Sequence, residues 1–564
     1  MPNQDTNTKF QRLLTDAGFN IVEQFCNNPI PSVWIIGIYD SDCQLLSAQG
    51  IGTSKEQALN DAYRQLISLC AFNAYWKDCY MGDELANKHF VHYPQEQWFK
   101  TKPDGSWPDG VLEDEELREF YNPDGELNTS NLIDISSSNR ERGLCCLPFE
   151  SLKTKKKLNV PVNVVTNLYE SHGTVASDNK DESRLNALLG TIEQYTKYRV
   201  ITEGISLPEI PDEVLSRNIT NQNIIKDITN AGYDLIVQDA SLAGEFPVVG
   251  VTLFNSQNQG TTTRFGAHPI LGNAVQKALF NLLRGIDLEN LDHLPQASFN
   301  MDEIASTGNV DKHFKNVNGS VAWQSLKNTP DYAFFDWDDN NENIDAGLAF
   351  STLCESIHDD GYDIYESQHQ SLGMYTYRII IPTLSEVSPV EDLIWENNNI
   401  GLDIRKSVLK QHKTLAECEA LIVELEELNQ EDEKNVAALI GLSADADSIF
   451  VDLTVAELIT LLALKIQDNE RIQEGCEWLI DYKTINSHRL IVYQCIDTVL
   501  QLDGMTDYSK ALEKLYTYPV VSDALALIDG EDVFPLFSEW KSHTQLVDAY
   551  QKILNTRNVI DQTG

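Results

Sequence analysis

The chain has 564 residues, 42% hydrophobic and 9% aromatic, which suits packed cores in two or more domains and not a disordered chain. Its 42 basic against 86 acidic residues leave a net charge of −44. That charge repels nucleic acid and anionic lipid and sets both aside, while it suits solubility and a basic protein partner.

Taken in order, the N-terminal MPNQDTNTKFQRLL has no apolar signal core, and no run of about 18 apolar residues follows anywhere in the chain. A cytoplasmic protein without a membrane span is expected. SVWIIGIYDSD (32–42) reads as a strand entering a turn. TSKEQALNDAYRQLISLCAFNAYW (53–76) reads as a helix with Thr53 or Ser54 as N-cap. His89 and His92 stand three apart, as zinc ligands could, but no second ligand pair matches them. TKKKL (154–158) reads as a solvated loop between strands, and the β-branched NVPVNVVTNLYES (159–171) as a strand stretch. A helix follows over roughly 180–203. Strands are expected at 234–241, 246–254 and 376–382, with a helix over 272–286 between the second and third of these. DWDDNNENIDAG (336–347) alternates Asp336, Asp338 and Asn340 like a calcium loop, but lacks the central glycine and closing glutamate and reads as a solvated acidic turn.

Strands and helices mixed in this way indicate an α+β or mixed α/β domain over 1–400. The polar stretch 396–414 reads as a linker. Beyond it, 401–564 is periodic at helical spacing: TLAECEALIVELEEL, TVAELITLLALKI, RIQEGCEWLIDY and HRLIVYQCIDTVLQL predict an all-α, TPR-like domain without a clean 34-residue repeat. The 10 cysteines form no CxxC; many lie in apolar runs, as Cys70 and Cys495 do, and only Cys145 and Cys146 adjoin. That usage fits a reducing compartment. No GxxxxGK[ST], GxSxG or HExxH occurs, so P-loop, hydrolase-elbow and zincin chemistry lack support.

Longer strings carry more information. FVHYPQEQWF (90–99), ERGLCCLPF (141–149), SLPEIPDEVLSR (206–217), FGAHP (265–269) and YRIIIPTLSEVSPVEDLIWENN (377–398) together resemble the YcaO family, most of all its stand-alone gammaproteobacterial branch. The resemblance is strong from about Phe10 to Asn399 and weaker beyond. It implies an ATP-binding fold of the family's own, with Mg²⁺ held by glutamates on facing helices, and in many members phosphorylation of a peptide amide oxygen. For the stand-alone branch it implies an accessory role in β-methylthiolation of an aspartate in small-subunit ribosomal protein twelve, beside a radical-SAM methylthiotransferase. It also implies a homodimer as a possible assembly.

Carried over residue by residue, the resemblance implies a degraded site. ATP needs Mg²⁺, Mg²⁺ needs carboxylate oxygens, and two glutamates three apart on a helix can share one ion. The family's first glutamate pair falls on Gln65 and Ser68, and its second on Gly190 and Glu193. A family glutamine falls on Asn186, an arginine on Gln194, and the phosphate-facing arginine and glutamate on Lys277 and Asn281, with Gln276 before them. The family's N-terminal lysine has no counterpart, this chain starting late. Glu193 is the one weak metal candidate, and ATP with Mg²⁺ is implied by the resemblance alone. Asp61, one turn before Gln65, and Glu182 are expected to be solvated charges, neither placed to replace a pair. Two functions follow: an accessory factor for ribosomal-protein methylthiolation with lost or weakened amide-activating chemistry, or a catalytically dead scaffold that binds a protein or peptide.

Overall fold

The first helix, α1 (Gln4–Asp16), packs Phe10 and Leu14 against an antiparallel meander of β1 (Ile21–Ile30), β2 (Val33–Asp40) and β3 (Cys43–Gly52). The computed structural model describes residues 4–77, 79–82, 91–137, 142–169, 173–284, 288, 291, 294–316, 319–337, 344–444, 448–482, 487–502, 508–531, 533 and 544–563. Helix α2 (Lys55–Ala71) starts at Ser54, whose hydroxyl accepts the Gln57 N–H at 3.2 Å. It lies on β3 at Gly50, where a Cβ would collide with Ala58 O and Ala62 N. Only glycine lets the two backbones come this close.

A six-stranded sheet runs in the order β4 (Gln97–Phe99), β5 (Leu144–Ser151), β11 (Tyr365–Ser371), β12 (Met374–Ile380), β7 (Thr174–Ser177), with β6 (Lys157–Pro161) also on β5. A third sheet has the order β10 (Gly260–Ala267), β9 (Val248–Asn255), β8 (Asp234–Asp239). All the strand pairs are antiparallel. Of the run at 154–158, Thr154, Lys155 and Lys156 fall in the turn between β5 and β6, while Lys157 and the buried Leu158 already belong to β6.

One element departs from the sequence reading. The strand expected over 159–171 ends at Pro161, and α3 (Val162–Leu168) follows. The cause is tertiary: Asn163 and Asn167 are one turn apart, and both amides reach Asn397, at 2.8 and 3.4 Å, while Val162, Val164, Val165 and Leu168 are buried. Packing on this scale overrides a local β preference.

Helix α4 (Lys180–Glu203) is the spine of the domain. Asn179 caps it, its side chain accepting the N–H groups of Asp181 and Glu182, and two acids in the first turn suit the helix dipole. Gly204, at φ 63°, ends it in the left-handed conformation. Leu185, Leu188, Leu189 and Ile192 are fully or nearly fully buried where α4 meets β12, β7, β10 and a later helix. Helix α5 (Leu271–Arg284) lies on β10 and β9, seated at Gly266, where a Cβ would meet Ala278 N and Ala274 O. That later helix, α6 (Ala346–Asp359), covers α4 from outside.

The stretch 396–414 is ordered rather than a bare linker. A short helix, Arg405–Leu409, buries Arg405, whose guanidinium donates to Ile440 O and to Ile135 O. Among the described residues from 400 onward the elements are all helical. Helices α7 (Leu415–Glu427), α8 (Val455–Ile466), α9 (Asn469–Tyr482) and α10 (Ser487–Leu500) share a core that includes Leu421, Leu462, Cys476 and Ile496. Inside it, Glu457 accepts from Arg489 at 2.7 and 3.0 Å and from Tyr493 at 2.8 Å. The last helix, α11 (Thr544–Thr563), leaves this bundle. Its Leu546, Ala549, Tyr550 and Ile553 join the core of α1, α2 and the meander, where Trp76 Nε1 donates to Leu546 O at 2.8 Å. Among the described residues no helix is long and apolar enough to cross a membrane.

Candidate functional site

The structure brings three of the predicted site residues together at the contact between α4 and α5. Glu193, on α4, is 8% exposed. Its Oε2 lies 2.8 Å from Lys277 Nζ and accepts the Ala267 N–H at 2.9 Å, while its Oε1 accepts from Asn281 Nδ2 at 3.4 Å. Asn281 Nδ2 also donates to Phe265 O at 2.8 Å, so the amide bridges α4 and the end of β10. The spacing Lys277 to Asn281 puts both on one face of α5, the face turned to Glu193. His268 follows in the chain. Its Nδ1 accepts the Ile270 N–H at 2.9 Å, and burial, reinforced by the nearby Lys277 charge, pulls its pKa down to about 4, so it is neutral here.

The other predicted positions are not gathered on this carboxylate. Gly190 supplies no ligand, and a Cβ there would find only Gly173 N and Cα, at 3.7 and 3.8 Å. Asn186 is exposed, and Gln194 keeps a buried Oε1 without a hydrogen-bond partner among the described residues. On α2, Ser68 Oγ donates to Arg64 O at 2.8 Å and Ala176 O at 3.3 Å, and Gln65 is half-buried.

Asp61 corrects an expectation. It is not a solvated charge: its side chain is 12% exposed. Oδ1 pairs with Arg64 at 2.7 Å, and Oδ2 accepts from Arg284 and from the Ile51 N–H, both at 3.1 Å. Arg284, which the sequence reading passed over, thereby ties α5 to α2. Glu182 is exposed, as expected. Arg184, which sits in the apolar arc of α4, finds its partner on β11: Nε and Nη2 reach the two oxygens of Glu366 at 2.6 and 2.8 Å, and the guanidinium lies 4.2 Å from the Phe350 ring centroid. No local signal in the sequence pairs positions 184 and 366.

These atoms do not fit a magnesium–triphosphate. Glu193 and Asp61 are both engaged by the chain's own cations, and Gln65, Ser68 and Gly190, the other three positions of the two expected glutamate pairs, have no carboxylate to add. Among the described residues no three His, Cys, Asp or Glu side chains converge to hold a metal ion. His89, Asp338 and Asn340 lie outside the described residues. His92 is buried, its pKa drawn down to about 4 by burial, and Asp336 pairs with Arg217 at 2.8 Å.

The family model for the YcaO cyclodehydratase, described as ATP- and Mg²⁺-binding, matches residues 49–385, and the model for the YcaO cyclodehydratase C-terminal domain matches 401–559. The ribosomal protein S12 methylthiotransferase accessory factor YcaO of Escherichia coli (strain K12) is 34% identical over 98% of this chain and 96% of its own. An uncharacterized protein of Haemophilus influenzae is 33% identical with the same coverage. Among solved structures, a heterocyclase in complex with substrate and cofactor covers 68% of this chain and 52% of its own at 13% identity and TM-score 0.46. YcaO from Methanopyrus kandleri bound with AMPPCP and Mg²⁺ covers 70% of this chain and 93% of its own at 14% identity and TM-score 0.39. With both regions matched and a relative alike along nearly the whole length, the chain belongs to the YcaO family.

Proposed function

We propose that the protein is an accessory factor of the ribosomal-protein methylthiolation system in which the fold has been kept as a protein- or peptide-binding scaffold and ATP-dependent amide activation has been lost. Whole-length similarity to the Escherichia coli accessory factor supports the biological context. The observation that carries the chemical part is the Glu193–Lys277 pair at 2.8 Å. Phosphoryl transfer relies on metal ions to neutralise charge between nucleotide and protein. Here the remaining carboxylate is neutralised from within, by a lysine that the fold holds in place.

The test is calorimetric titration of the full chain with ATP and Mg²⁺, with Glu193→Ala as control. No heat is expected at millimolar ATP from a protein shown to be folded. Micromolar binding abolished by Glu193→Ala would mean that the site works with fewer carboxylates, and the scaffold reading would fall.

A further inference from the structure

A large cavity lies away from the Glu193 site. It has a volume of about 870 Å³ and opens where the α/β domain meets the helical region, its walls formed by segments near residues 134–136, 166–167, 307–311, 388–400 and 429–442. None of its lining belongs to α2, α4 or α5. Its volume lies in the range of ligand pockets, and domain junctions are where such pockets concentrate.

The walls are fixed without any ligand. Asn163 and Asn397 exchange amide hydrogen bonds at 2.8 and 2.9 Å, and Asn399 Nδ2 donates to Asn131 O and Ile133 O, both at 2.6 Å. Arg405 bonds the walls at Ile135 and Ile440, and stacks over Tyr80 at 4.2 Å. The Tyr80 N–H donates to Gly441 O at 2.8 Å. The cavity is therefore preformed, which lowers the ordering cost of filling it.

Its charge is one-sided. Asp134, Asp311, Asp392, Glu396 and Glu431 line it against Lys77 and Lys434. The side chains of half-buried Asp392 and of exposed Glu396 and Glu431 form no hydrogen bond or ion pair with any described residue. The carboxylates are spread over four segments, and among the described residues no three His, Cys, Asp or Glu side chains converge to hold an ion, so a single metal ion does not account for them. An extended ligand with several positive groups does. Thr307, Ser388 and Asn429 add hydroxyl and amide groups, likewise without side-chain partners among the described residues. These can donate to carbonyl oxygens, which a peptide has and a polyamine lacks.

We infer that this cavity binds a lysine- or arginine-bearing segment of a polypeptide. Unpaired carboxylates that face one cavity, with Asp392 half-buried among them, attract such a segment more strongly than the same charges dispersed over an open surface. The inference does not rest on the nucleotide reading, since the two sites share no residue.

The probe is a fluorescein-labelled nine-residue peptide of alternating lysine and serine, titrated against the full chain by fluorescence anisotropy at low salt. Micromolar binding is expected, with at least tenfold weakening in the triple variant Asp392→Asn/Glu396→Gln/Glu431→Gln. A control, Glu419→Gln/Glu424→Gln/Glu427→Gln, removes the same charge from the exposed side of α7 and should stay within twofold of the parent. Equal weakening in the control would show that the peptide follows bulk charge, and the inference fails. It fails too if the peptide does not bind, or if spermine competes as well as the peptide at equal charge. Should circular dichroism show the triple variant unfolded, the rim variant Glu431→Gln is read alone. Weakening of two- to threefold supports the site, and an unchanged affinity overturns it.

Discussion

Oε2 of Glu193 carries both the Lys277 ammonium, at 2.8 Å, and the Ala267 N–H, at 2.9 Å. A carboxylate held in this way is a structural ion, and removing its counter-charge leaves it buried and uncompensated. Lys277→Met should destabilise the chain by about 1–3 kcal/mol, because the lysine is partly exposed and water can replace some of what it provides. Adding Glu193→Gln should restore most of that loss. Urea denaturation of the two single variants and the double variant measures the coupling; additive losses would mean the pair is not coupled.

Gly190 gives a prediction of opposite sign. Its surroundings leave ordinary van der Waals room for a Cβ, and its backbone is helical. Gly190→Ala should therefore stabilise the protein by about 0.5–1 kcal/mol, the usual gain in a helix interior. A thermal melt reads this directly, and a loss of stability would show that packing, rather than the loss of a site, demands the glycine.

The buried network of the helical region is more sensitive. Glu457 is fully buried and takes two of the three guanidinium contacts of Arg489, the third going to Asp452 at 2.8 Å. Glu457→Ala leaves that guanidinium with Asp452 alone and removes the acceptor of the Tyr493 hydroxyl, and should cost about 3–5 kcal/mol. The shift of the urea midpoint is the measurement, and a change under 1 kcal/mol would contradict the assigned role.

Asp392 supplies the pH dependence. Burial, and then the neighbouring charges of Glu396, Glu391 and Asp311, raise its pKa above the ordinary 3.8. A raised acid favours its neutral form in the folded chain. Its contribution to stability is therefore full below the unfolded value and is lost as pH rises through the folded value. Asp392→Asn should thus raise the melting temperature at pH 7, and the gap to the parent should close as pH falls toward 4. A gap constant with pH would mean that the carboxyl group is not crowded.

Much of this was legible in the sequence. Helix 180–203 was readable because Asn179, two acids and Gly204 mark its ends, and apolar spacing marks its buried face. The family strings located Glu193, Lys277 and Asn281, and the structure places these three in contact. What they do to one another was not legible. Lys277 is 84 residues from Glu193 in the chain, and only the seating of α5 on Gly266 decides that its ammonium lands on that carboxylate. Arg284 on Asp61 and Glu366 on Arg184 are likewise products of the fold, each bridging well over 100 residues. The misread strand at 162–168 has the same origin, for its valines were visible and the asparagine ladder that makes them helical was not.

The docking of α11 into the first core has a consequence for how the chain is made. Trp76 is fully buried in a core that Leu546, Tyr550 and Ile553 help to close, and its hydrogen bond to Leu546 spans 470 residues. At about 5–20 residues per second that interval takes about 25–90 s. For all that time the meander and α2 present an open apolar groove, while the sheets and helical bundle behind them can already fold. A shortened product that lacks α11 leaves that apolar surface open to solvent, because Leu546, Ala549, Tyr550 and Ile553 are what cover it.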